Sequence, residues 1–406
     1  MTGCMSSAFP AAPAWASSLV SVGVTGTNGK TTTTTFVAAL LGLLAKPVAR
    51  VTTLGCFLDD ARLDVPKHYP GFLETLRRAH QAGGRYAALE MTSEALSLGF
   101  ARAWPCRFGA FTNLSLDHSD AHGSPEHYLA SKAQLFMSLP PDGAAVLNGC
   151  DANAALLRDV LPSGVEEVRY GVESRGTTWD ALHLSAHAAN VTLEGTSAEL
   201  KGSARFPGMP AELRLRAVGE IYLENALAAL SVALLAGVPA PRALALLADV
   251  PAPPGRFQVV HRGPDVVVDY AHTPDALERT LATARRVCRG ELTLVFGAGG
   301  DRDRAKRPLL GAAARAADRV VLTSDNPRGE PPERIADEIA AGLMPHAEVR
   351  RELDRERAIR DAVQSASERD LVLIAGKGHE STQEVAGVEL PLSDVAVVLQ
   401  SAKYPR

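Results

Sequence analysis

The sequence lacks the features that would mark a secreted, cysteine-metal or membrane protein. Its five cysteines, at positions 4, 56, 106, 150 and 288, are scattered and form no C-x-x-C pair. This argues against a disulfide framework and a metal knuckle, and it favours a reducing compartment. No apolar stretch reaches membrane-spanning length without charges, and the first twenty residues lack the basic segment of a signal peptide. We therefore expect a cytoplasmic protein with no membrane partner.

Strong charge of either sign is also missing. The net charge is −4, with 46% hydrophobic and 22% charged residues, as in ordinary globular proteins. This balance gives no electrostatic reason to expect nucleic acid as a partner, so any affinity for phosphate must come from local groups. A chain of 406 residues exceeds what one hydrophobic core usually serves, and two domains are expected.

Short β-branched runs alternate with Ala/Leu-rich helical periods, which is the pattern of doubly wound α/β domains. The predicted strands are Leu19–Val24, Tyr86–Glu90, Phe108–Asn113, Ala144–Leu147, Val266–Asp269, Leu292–Phe296, Arg319–Thr323 and Leu371–Ala375. Between residues 165 and 218 the alternating, turn-rich texture predicts a small β subregion. A proline-rich joint at 250–256 predicts the division into domains 1–254 and 255–406.

The most informative segment is the glycine-rich stretch at 21–35, which links an apolar run to a helical one. Its glycines would let the backbone approach phosphate, Lys30 would supply a cation, and Thr31 would bind Mg²⁺. The residues expected to contact the nucleotide are Gly26, Thr27, Asn28, Gly29, Lys30, Thr31 and Thr32. The spacing departs from the strict phosphate-loop (P-loop) pattern, whose first glycine would fall at Val24. The alternative is a glycine-rich turn that only leads into a helix.

Three further residues of the first domain are candidates for metal chemistry. Glu90 ends a predicted strand and is a candidate Mg²⁺ ligand, with a surface carboxylate as the alternative. His118 lies in a loop rich in histidine and aspartate, where a lone histidine would more often be structural. Lys132 lies on an otherwise apolar helical face, where by itself it would be a lysine that extends to solvent.

In the second domain, four polar segments follow predicted strands. Asp269 is suited to bind ribose hydroxyls, or alternatively to cap the next element. The basic loop at 296–308 favours an anion site over a solvated loop. Two more loops, 325–328 and 376–380, are expected to share the same sheet edge with it, which predicts a site for a charged, zwitterionic small molecule.

The ordered motifs T-G-T-N-G-K-T, L-E-M-T-S-E-A-L, F-T-N-L-S-L-D-H-S-D-A-H-G, S-K-A-Q-L-F, P-G-R-F, V-D-Y-A-H-T-P-D-A-L, G-G-D-R-D-R-A-K-R-P, D-N-P-R and G-K-G-H-E closely resemble the MurE-type Mur ligases. Those ATP-dependent enzymes add the third amino acid to the UDP-N-acetylmuramoyl dipeptide of peptidoglycan precursors. The resemblance runs from about Leu19 to Asp394. It implies a central P-loop ATPase domain followed by a Rossmann-like C-terminal domain.

The resemblance also implies roles for single residues. Lys30 and Thr31 would hold phosphates and Mg²⁺, Glu90 and His118 would each ligate a Mg²⁺, and Lys132 would be carbamylated to bridge the second ion. Asn225 and Arg256 would contact adenine, and Asp269 the ribose. The residues implied to recognise meso-diaminopimelate are Arg302, Asp325, Asn326, Arg328, Gly376 and Glu380. The mechanism implied is phosphorylation of a carboxylate to an acyl phosphate, which the amino acid then attacks.

The departures from the family pattern gather on the side that binds the carboxylate substrate. About twenty residues precede the P-loop, so the family's N-terminal UDP-binding domain is expected to be missing. Asp64-Val65-Pro66 replaces a T-T-P segment, and Glu94 replaces a histidine. Leu98 and Phe100 replace a glutamine and an arginine. We expect an acyl substrate other than the UDP-muramoyl dipeptide, in specialised metabolism. The alternatives are a peptidoglycan ligase with a partner chain that supplies the missing domain, and a non-catalytic nucleotide-binding scaffold.

Overall fold

The computed structural model describes residues 9–66, 68–115, 124–177, 179–345 and 348–403. The first of its two large sheets has eleven strands in the order β11-β10-β9-β8-β7-β6-β1-β5-β2-β3-β4. Its strands are β1 Val20–Thr25, β2 Val48–Thr52, β3 Gly55–Leu58, β4 Ala61–Arg62, β5 Tyr86–Glu90, β6 Phe108–Phe111, β7 Ala144–Asn148, β8 Glu166–Val172, β9 Leu184–Thr192, β10 Gly195–Gly202 and β11 Glu212–Leu215. The predicted β subregion therefore does not stand apart, because β8 pairs in parallel with β7 and extends the first sheet.

The second large sheet has six strands in the order β12-β13-β17-β14-β15-β16, and a separate two-stranded sheet pairs β18 with β19. These strands are β12 Gln258–His261, β13 Asp265–Asp269, β14 Leu292–Phe296, β15 Arg319–Leu322, β16 Val349–Arg351, β17 Leu371–Ala375, β18 Thr382–Val385 and β19 Val388–Pro391. Every residue of β14 and β17 is buried, as expected for the continuous apolar strands of a parallel sheet covered on both faces.

Helices cover the faces of both large sheets. Their bounds are α1 Lys30–Leu41, α2 His68–Gln81, α3 Ser93–Ser97, α4 Phe100–Ala103, α5 Pro125–Met137, α6 Ala154–Arg158, α7 Glu220–Leu235, α8 Ala240–Leu247, α9 Pro274–Val287, α10 Lys306–Ala314, α11 Pro332–Leu343, α12 Arg355–Ser365 and α13 Asp394–Lys403. Helix α7 is apolar nearly all round and is correspondingly buried along most of its length. Across the described residues, no helix combines the length and the apolar character needed to cross a membrane.

Parallel pairing brings the polar loops of each sheet to one edge. Strand β1 lies between β5 and β6, so the loops that follow these three strands are neighbours. In the second sheet β17 lies between β13 and β14, and β15 pairs with β14. Ligand sites in open α/β sheets form at this carboxyl edge.

The two sheets meet at the same place. Asn28, in the loop after β1, donates a hydrogen bond from Nδ2 to Asp275 Oδ2 at 3.0 Å. Deeper in the interface, Arg279 of α9 pairs with Glu224 of α7, whose side chain is almost fully buried. The proposed division at residues 254 and 255 falls between the last strand of the first sheet and the first strand of the second.

Candidate active site

The loop between β1 and α1 has the geometry of an anion site. Gly29 precedes the helix with φ of 82°, which favours glycine, and a Cβ on it would lie 2.3 Å from Asn225 Oδ1, so the Asn225 side chain would have to move for any other residue. Helix α1 begins at Lys30, and the N–H groups of its first turn lack acceptors within the helix. Lys30 Nζ donates to the carbonyl oxygens of Thr27 at 2.7 Å and Gly26 at 3.1 Å. An anion here would meet backbone dipoles and a lysine together.

Glu90, at the end of β5, faces the start of α1. Thr31 Oγ1 donates to Glu90 Oε2 at 2.9 Å, and the Thr53 N–H donates to the same oxygen at 3.1 Å. A carboxylate and a hydroxyl are the oxygen donors that Mg²⁺ prefers, so these two residues fit a magnesium ion. Within the described ranges, no group of three or more His, Cys, Asp or Glu side chains is placed to hold a metal.

The two other predicted metal residues have different outcomes. His118 lies outside the described residues, as does most of its loop. Lys132, on α5, is 1% exposed and does not extend to solvent. Its Nζ donates to the Gly26 carbonyl at 2.8 Å and lies 4.0 Å from the centre of the Tyr128 ring. An ammonium group cannot ligate a metal, so a metal role would require carbamylation, which supplies oxygen donors.

A cavity of about 280 Å³, called here the P-loop cavity, lies between the two sheets. Its lining includes the predicted nucleotide residues Thr27, Asn28, Gly29, Lys30, Thr31, Thr32, Asn225, Arg256 and Asp269, and also Glu90. The remaining predicted residue, Gly26, is not part of this lining, but its carbonyl oxygen accepts hydrogen bonds from Lys30 and Lys132. The structure therefore brings residues from four separate parts of the chain to one cavity.

Asp269 is a buried carboxylate whose predicted ribose role stays a prediction, and Thr273 rather than Asp269 caps the following helix α9. The Asp269 carboxylate accepts hydrogen bonds from the Phe257 N–H at 2.6 Å and the Ala271 N–H at 2.8 Å, as a structural carboxylate does. It also lines the P-loop cavity. Burial raises the pKa of Asp269, and the hydrogen bonds together with the charge of Arg256 offset this only in part.

A second cavity, of about 440 Å³, is called here the arginine cavity. It is lined by all six residues predicted for amine recognition, Arg302, Asp325, Asn326, Arg328, Gly376 and Glu380. They follow strands β14, β15 and β17, so the three polar loops do share one edge of the second sheet. Gly376 has φ of 113°, and a Cβ there would lie 2.5 Å from Asp325 Oδ2, which keeps the two loops in close contact.

Lys377, to which the sequence argument gave no role, organises two of these loops. It is fully buried, and its Nζ donates to Asn326 Oδ1 at 2.9 Å and to Glu380 Oε2 at 2.7 Å. Asn326 Nδ2 donates to the same Glu380 oxygen at 2.9 Å. Burial alone raises the pKa of Glu380, but the bonds and charge of Lys377 outweigh it, so the pKa is lowered and the group is held as a carboxylate.

A buried ion pair behind the arginine cavity was also missed. Arg355 and Asp394 are fully buried and paired at 2.8 Å. Arg355 donates to the carbonyls of Ser324 and Ala375, at 3.2 and 3.0 Å. These residues directly precede the 325–328 and 376–380 loops, so one guanidinium ties both loops together. Neither residue lies in a recognisable motif, and their 39-residue separation gave no local signal.

Two of the four cations in the 296–308 loop are structural. Arg307 is fully buried and pairs with Glu330 at 2.8 Å and Glu338 at 2.7 Å, and Arg304 pairs with Glu330 at 2.9 Å. Hydrogen bonding to Arg307 is the main cause that lowers the pKa of Glu330 to about 2. Arg302 and Lys306 line the arginine cavity instead, so two cations of the loop face a cavity and two belong to an internal ion-pair network, and the anion site stays a prediction.

Arg328 has a strained backbone and a constrained side chain. Its φ is 51°, which is uncommon for a residue other than glycine. Nε pairs with Glu384 at 3.1 Å, and Nη1 donates to the Gly300 carbonyl at 2.8 Å. Because these contacts fix the guanidinium before any ligand arrives, its remaining N–H groups are presented in one orientation.

The third cavity, of about 1090 Å³, is called here the aromatic cavity. Rings of Phe9, Tyr69, Phe72 and Phe100 line it and pack on one another, with neighbouring centroids 5.1 to 5.6 Å apart. Every position at which the sequence departs from the resembled family lines the same cavity, namely Asp64, Val65, Glu94, Leu98 and Phe100.

The three cavities share parts of their walls. Thr53, Glu90 and Thr92 line both the P-loop and the aromatic cavities. Tyr270 and His272 line both the P-loop and the arginine cavities. Glu94 lines both the arginine and the aromatic cavities. Three small molecules bound in these cavities would therefore meet beside Glu90, Glu94 and His272.

Comparisons with known proteins agree with this architecture. A family model of the Mur ligase middle domain matches residues 24–233, and one described as Mur ligase, glutamate ligase domain, matches residues 255–378. The chain is 42% identical over 379 residues to a UDP-N-acetylmuramoyl-L-alanyl-D-glutamate--2,6-diaminopimelate ligase of Thermosynechococcus vestitus, covering 91% of this chain and 73% of that protein. It is 38% identical over 387 residues to the protein of the same name from Aquifex aeolicus, covering 93% and 76%.

Solved structures of similar proteins align with most of this chain. One of a protein with that same ligase name aligns with a TM-score of 0.63 and 34% identity, over 95% of this chain and 78% of that chain. The Mycobacterium tuberculosis folylpolyglutamate synthase, solved with ADP and AMPPCP, aligns with a TM-score of 0.71 over 97% of this chain and 93% of that chain. At 20% identity, this second match supports the shared fold alone.

Proposed function

The chain belongs to the Mur ligase family, and from this premise we propose that it forms an amide bond between a carboxylate substrate and an amino acid. The cofactors are ATP and Mg²⁺. The observation that carries the proposal is the meeting of three cavities, one for each reactant, beside the start of α1. A non-catalytic scaffold would not need Lys30, Glu90 and Lys132 gathered at that point.

ATP supplies the phosphoryl group that activates the carboxylate, and Mg²⁺ neutralises the charge of its phosphates. The N–H groups at the start of α1 and Lys30 would hold the phosphates, while Thr31 and Glu90 would hold a magnesium ion. The activated carboxylate is an acyl phosphate. The nitrogen of the amino acid forms a bond to its carbonyl carbon, the carbon–oxygen bond to phosphate breaks, and phosphate leaves with the electron pair. Catalysis rests on positioning and charge neutralisation, since phosphoryl transfer needs little covalent help from protein.

The amine would bind in the arginine cavity, and diaminopimelate is the amino acid that we propose. Arg302 and Arg328 offer guanidinium groups for its carboxylates, and Glu380 offers a carboxylate for the distal ammonium. If lysine were the substrate, one of the two arginines would have no carboxylate to bind. An amino acid with a neutral side chain would in addition leave Glu380 with no ammonium to bind. The two relatives described above are named as diaminopimelate ligases, which supports the same choice.

The carboxylate substrate would bind in the aromatic cavity, and we propose that it differs from a UDP-muramoyl dipeptide. The carboxylates of Asp64 and Glu94 repel an acceptor with several negative charges, and Leu98 and Phe100 offer it no hydrogen bonds. An acceptor with an apolar body next to its carboxylate suits this lining better. The second candidate is the acceptor in the relatives' names, UDP-N-acetylmuramoyl-L-alanyl-D-glutamate, which their 38 to 42% identity favours.

The test is ADP release from ATP over a matrix of amines and carboxylates. The amines are meso-diaminopimelate, lysine, ornithine and glutamate. The carboxylates are UDP-N-acetylmuramoyl-L-alanyl-D-glutamate and a series of aryl and alkyl carboxylic acids, and products are identified by mass spectrometry. We expect ADP release to require both partners and to be fastest with diaminopimelate. ADP release that needs neither partner would contradict the ligase proposal, and efficient use of the UDP-muramoyl dipeptide would overturn the acceptor proposal.

A further inference from the structure

Glu94 lies where the amine and the carboxylate substrate would meet. Of the described residues, it alone is common to the linings of the arginine and aromatic cavities. Glu94 lies in the first turn of α3, which follows a strand of the first sheet, whereas the predicted amine-binding residues follow strands of the second sheet. The carboxylate therefore closes the side of the arginine cavity from which a bound amine would have to attack.

The arginine cavity is lined by three cations and by four carboxylates, and three of the four carboxylates already accept hydrogen bonds within the protein. Arg302, Lys306 and Arg328 are cations. Glu380 is paired with Lys377 and is assigned to the distal ammonium, and Asp303 and Asp325 accept the backbone N–H groups of Ala305 and Asn326, at 2.9 and 2.8 Å. By contrast, the Glu94 side chain has no hydrogen bond or ion pair with any residue in the described part of the chain. Of the four carboxylates, it is the one left for the ligand's second, attacking amino group.

We propose that the Glu94 carboxylate binds the attacking amino group of the incoming amino acid and accepts a proton from it during amide formation. The ammonium form must lose two protons over the reaction. One is carried away on the departing phosphate, and the second passes to the Glu94 carboxylate and then to solvent, which the exposed side chain reaches directly. This assignment rests on the proposed ligase function, and it holds for either candidate carboxylate substrate.

The test separates activation of the carboxylate from attack by the amine. Hydroxylamine, which is uncharged near neutral pH, traps an acyl phosphate as a hydroxamate without needing a residue that binds an ammonium. With an aryl or alkyl carboxylate at saturating concentration, Glu94→Gln should therefore reach the same maximal rate of hydroxamate formation as the wild type, since Glu94 is proposed to influence how the acceptor binds but not how it is phosphorylated. With diaminopimelate as the nucleophile, the variant should show a KM raised roughly tenfold, the effect of one partly exposed charged hydrogen bond. Its kcat should fall roughly a hundredfold, as for loss of a proton acceptor.

Two further variants make the result specific. Glu94→Asp keeps the charge and should recover part of the lost kcat. Asp60→Asn removes an exposed carboxylate from the same domain outside the three cavity linings and should leave all parameters unchanged. Unchanged kinetics of Glu94→Gln with diaminopimelate would overturn the assignment of Glu94 alone. If the wild type forms no hydroxamate with any carboxylate in the matrix, the ligase proposal fails, and the role of Glu94 fails with it.

Discussion

The arginine cavity and the aromatic cavity border the same P-loop cavity, yet most of their lining residues differ in chemistry. The first is lined by charged side chains that other buried charges hold in place, such as Glu380 by Lys377. The second has packed rings and aliphatic groups over much of its lining, with charged side chains such as Asp64 and Glu94 among them. A preorganised charged site recognises one pattern of charges, because a wrong ligand leaves buried groups unpaired. A largely apolar cavity discriminates between ligands mainly by size, and a substitution in its lining costs less binding free energy than one in a charged site.

The two cavities are also tied to the backbone in different ways. Arg355, paired with Asp394, donates hydrogen bonds to the residues that precede the 325–328 and 376–380 loops of the arginine cavity. On the aromatic side, Leu98 is 50% exposed and follows a helix of five residues. We therefore expect substitutions near the arginine cavity to alter amine use strongly, and substitutions on the aromatic wall to change acceptor choice at small cost in stability.

The largest effect is expected where both cavities depend on the same group. Lys30→Ala removes the cation that neutralises the transferring phosphoryl group, and turnover should fall by about 10²–10³-fold or more, whichever substrates are used. ADP release measures turnover, while calorimetry should find diaminopimelate affinity unchanged. Comparable ADP formation by the variant and the wild type would contradict the ligase proposal.

Lys132 is expected to act next to Lys30, beneath the P-loop. If Lys132 is carbamylated, Lys132→Ala should lose activity with every substrate pair, and short carboxylates such as acetate should restore part of it by replacing the carbamate. The mass of the intact wild-type protein, measured in bicarbonate, should include the added carbamate. A fully active Lys132→Ala variant would show that this buried lysine only supports the Gly26 carbonyl.

Arg328→Ala should separate the two cavities. Loss of a charged contact costs about 1–3 kcal/mol, so the KM for diaminopimelate should rise by roughly 5–150-fold, while the KM for ATP and for the carboxylate stay the same. Arg328→Lys keeps the charge but not the planar fork, and it should restore only part of the affinity. An equal rise in the KM for the carboxylate would show that the arginine cavity does not belong to the amine.

The arginine side should also respond to acid. Glu330 has its pKa lowered to about 2 from 4.5, so its ion pair stabilises the fold fully above pH 4.5 and the contribution is lost as the pH falls towards 2. The urea midpoint of the wild type should therefore drop between pH 5 and pH 2.5. Glu330→Gln should be less stable at pH 7 and should lose less over that interval. Parallel curves for both proteins would contradict this assignment of the pH dependence.

The smallest effect is expected on the aromatic wall. Leu98→Gln places an amide on an exposed position of the aromatic cavity, and it should raise activity with the UDP-muramoyl dipeptide by a few-fold, about one hydrogen bond. Use of apolar carboxylates should fall by a similar factor, since about half of an apolar side chain is replaced. The melting temperature should hardly change. A fall in activity with both acceptors would place Leu98 in the packing of α3 rather than in the acceptor site.

The sequence was most informative where one segment carries its own chemistry. Seven of the eight predicted strands agree with the observed bounds to within one residue at each end, because buried parallel strands are continuous apolar runs. The eighth, Phe108–Asn113, was predicted two residues too long. The glycine-rich loop and the polar loops after β14, β15 and β17 were also found from local patterns. The roles of these residues stay predictions, and His118 lies outside the described part of the chain.

Only the tertiary structure decided which charged side chains pair with side chains from distant segments and which line a cavity. The sequence could not show that Arg307 is a buried structural cation while Arg302, five residues away, lines a cavity. Nor could it show that Lys377 holds Glu380, that Arg355 holds two loops, or that Glu94 joins two cavities. Backbone conformation and apolar burial leave periodic signals in sequence, because they depend on near neighbours. Ion pairs and shared cavity walls leave none, because their energies depend on distance and burial, which arise only once the two sheets are packed together.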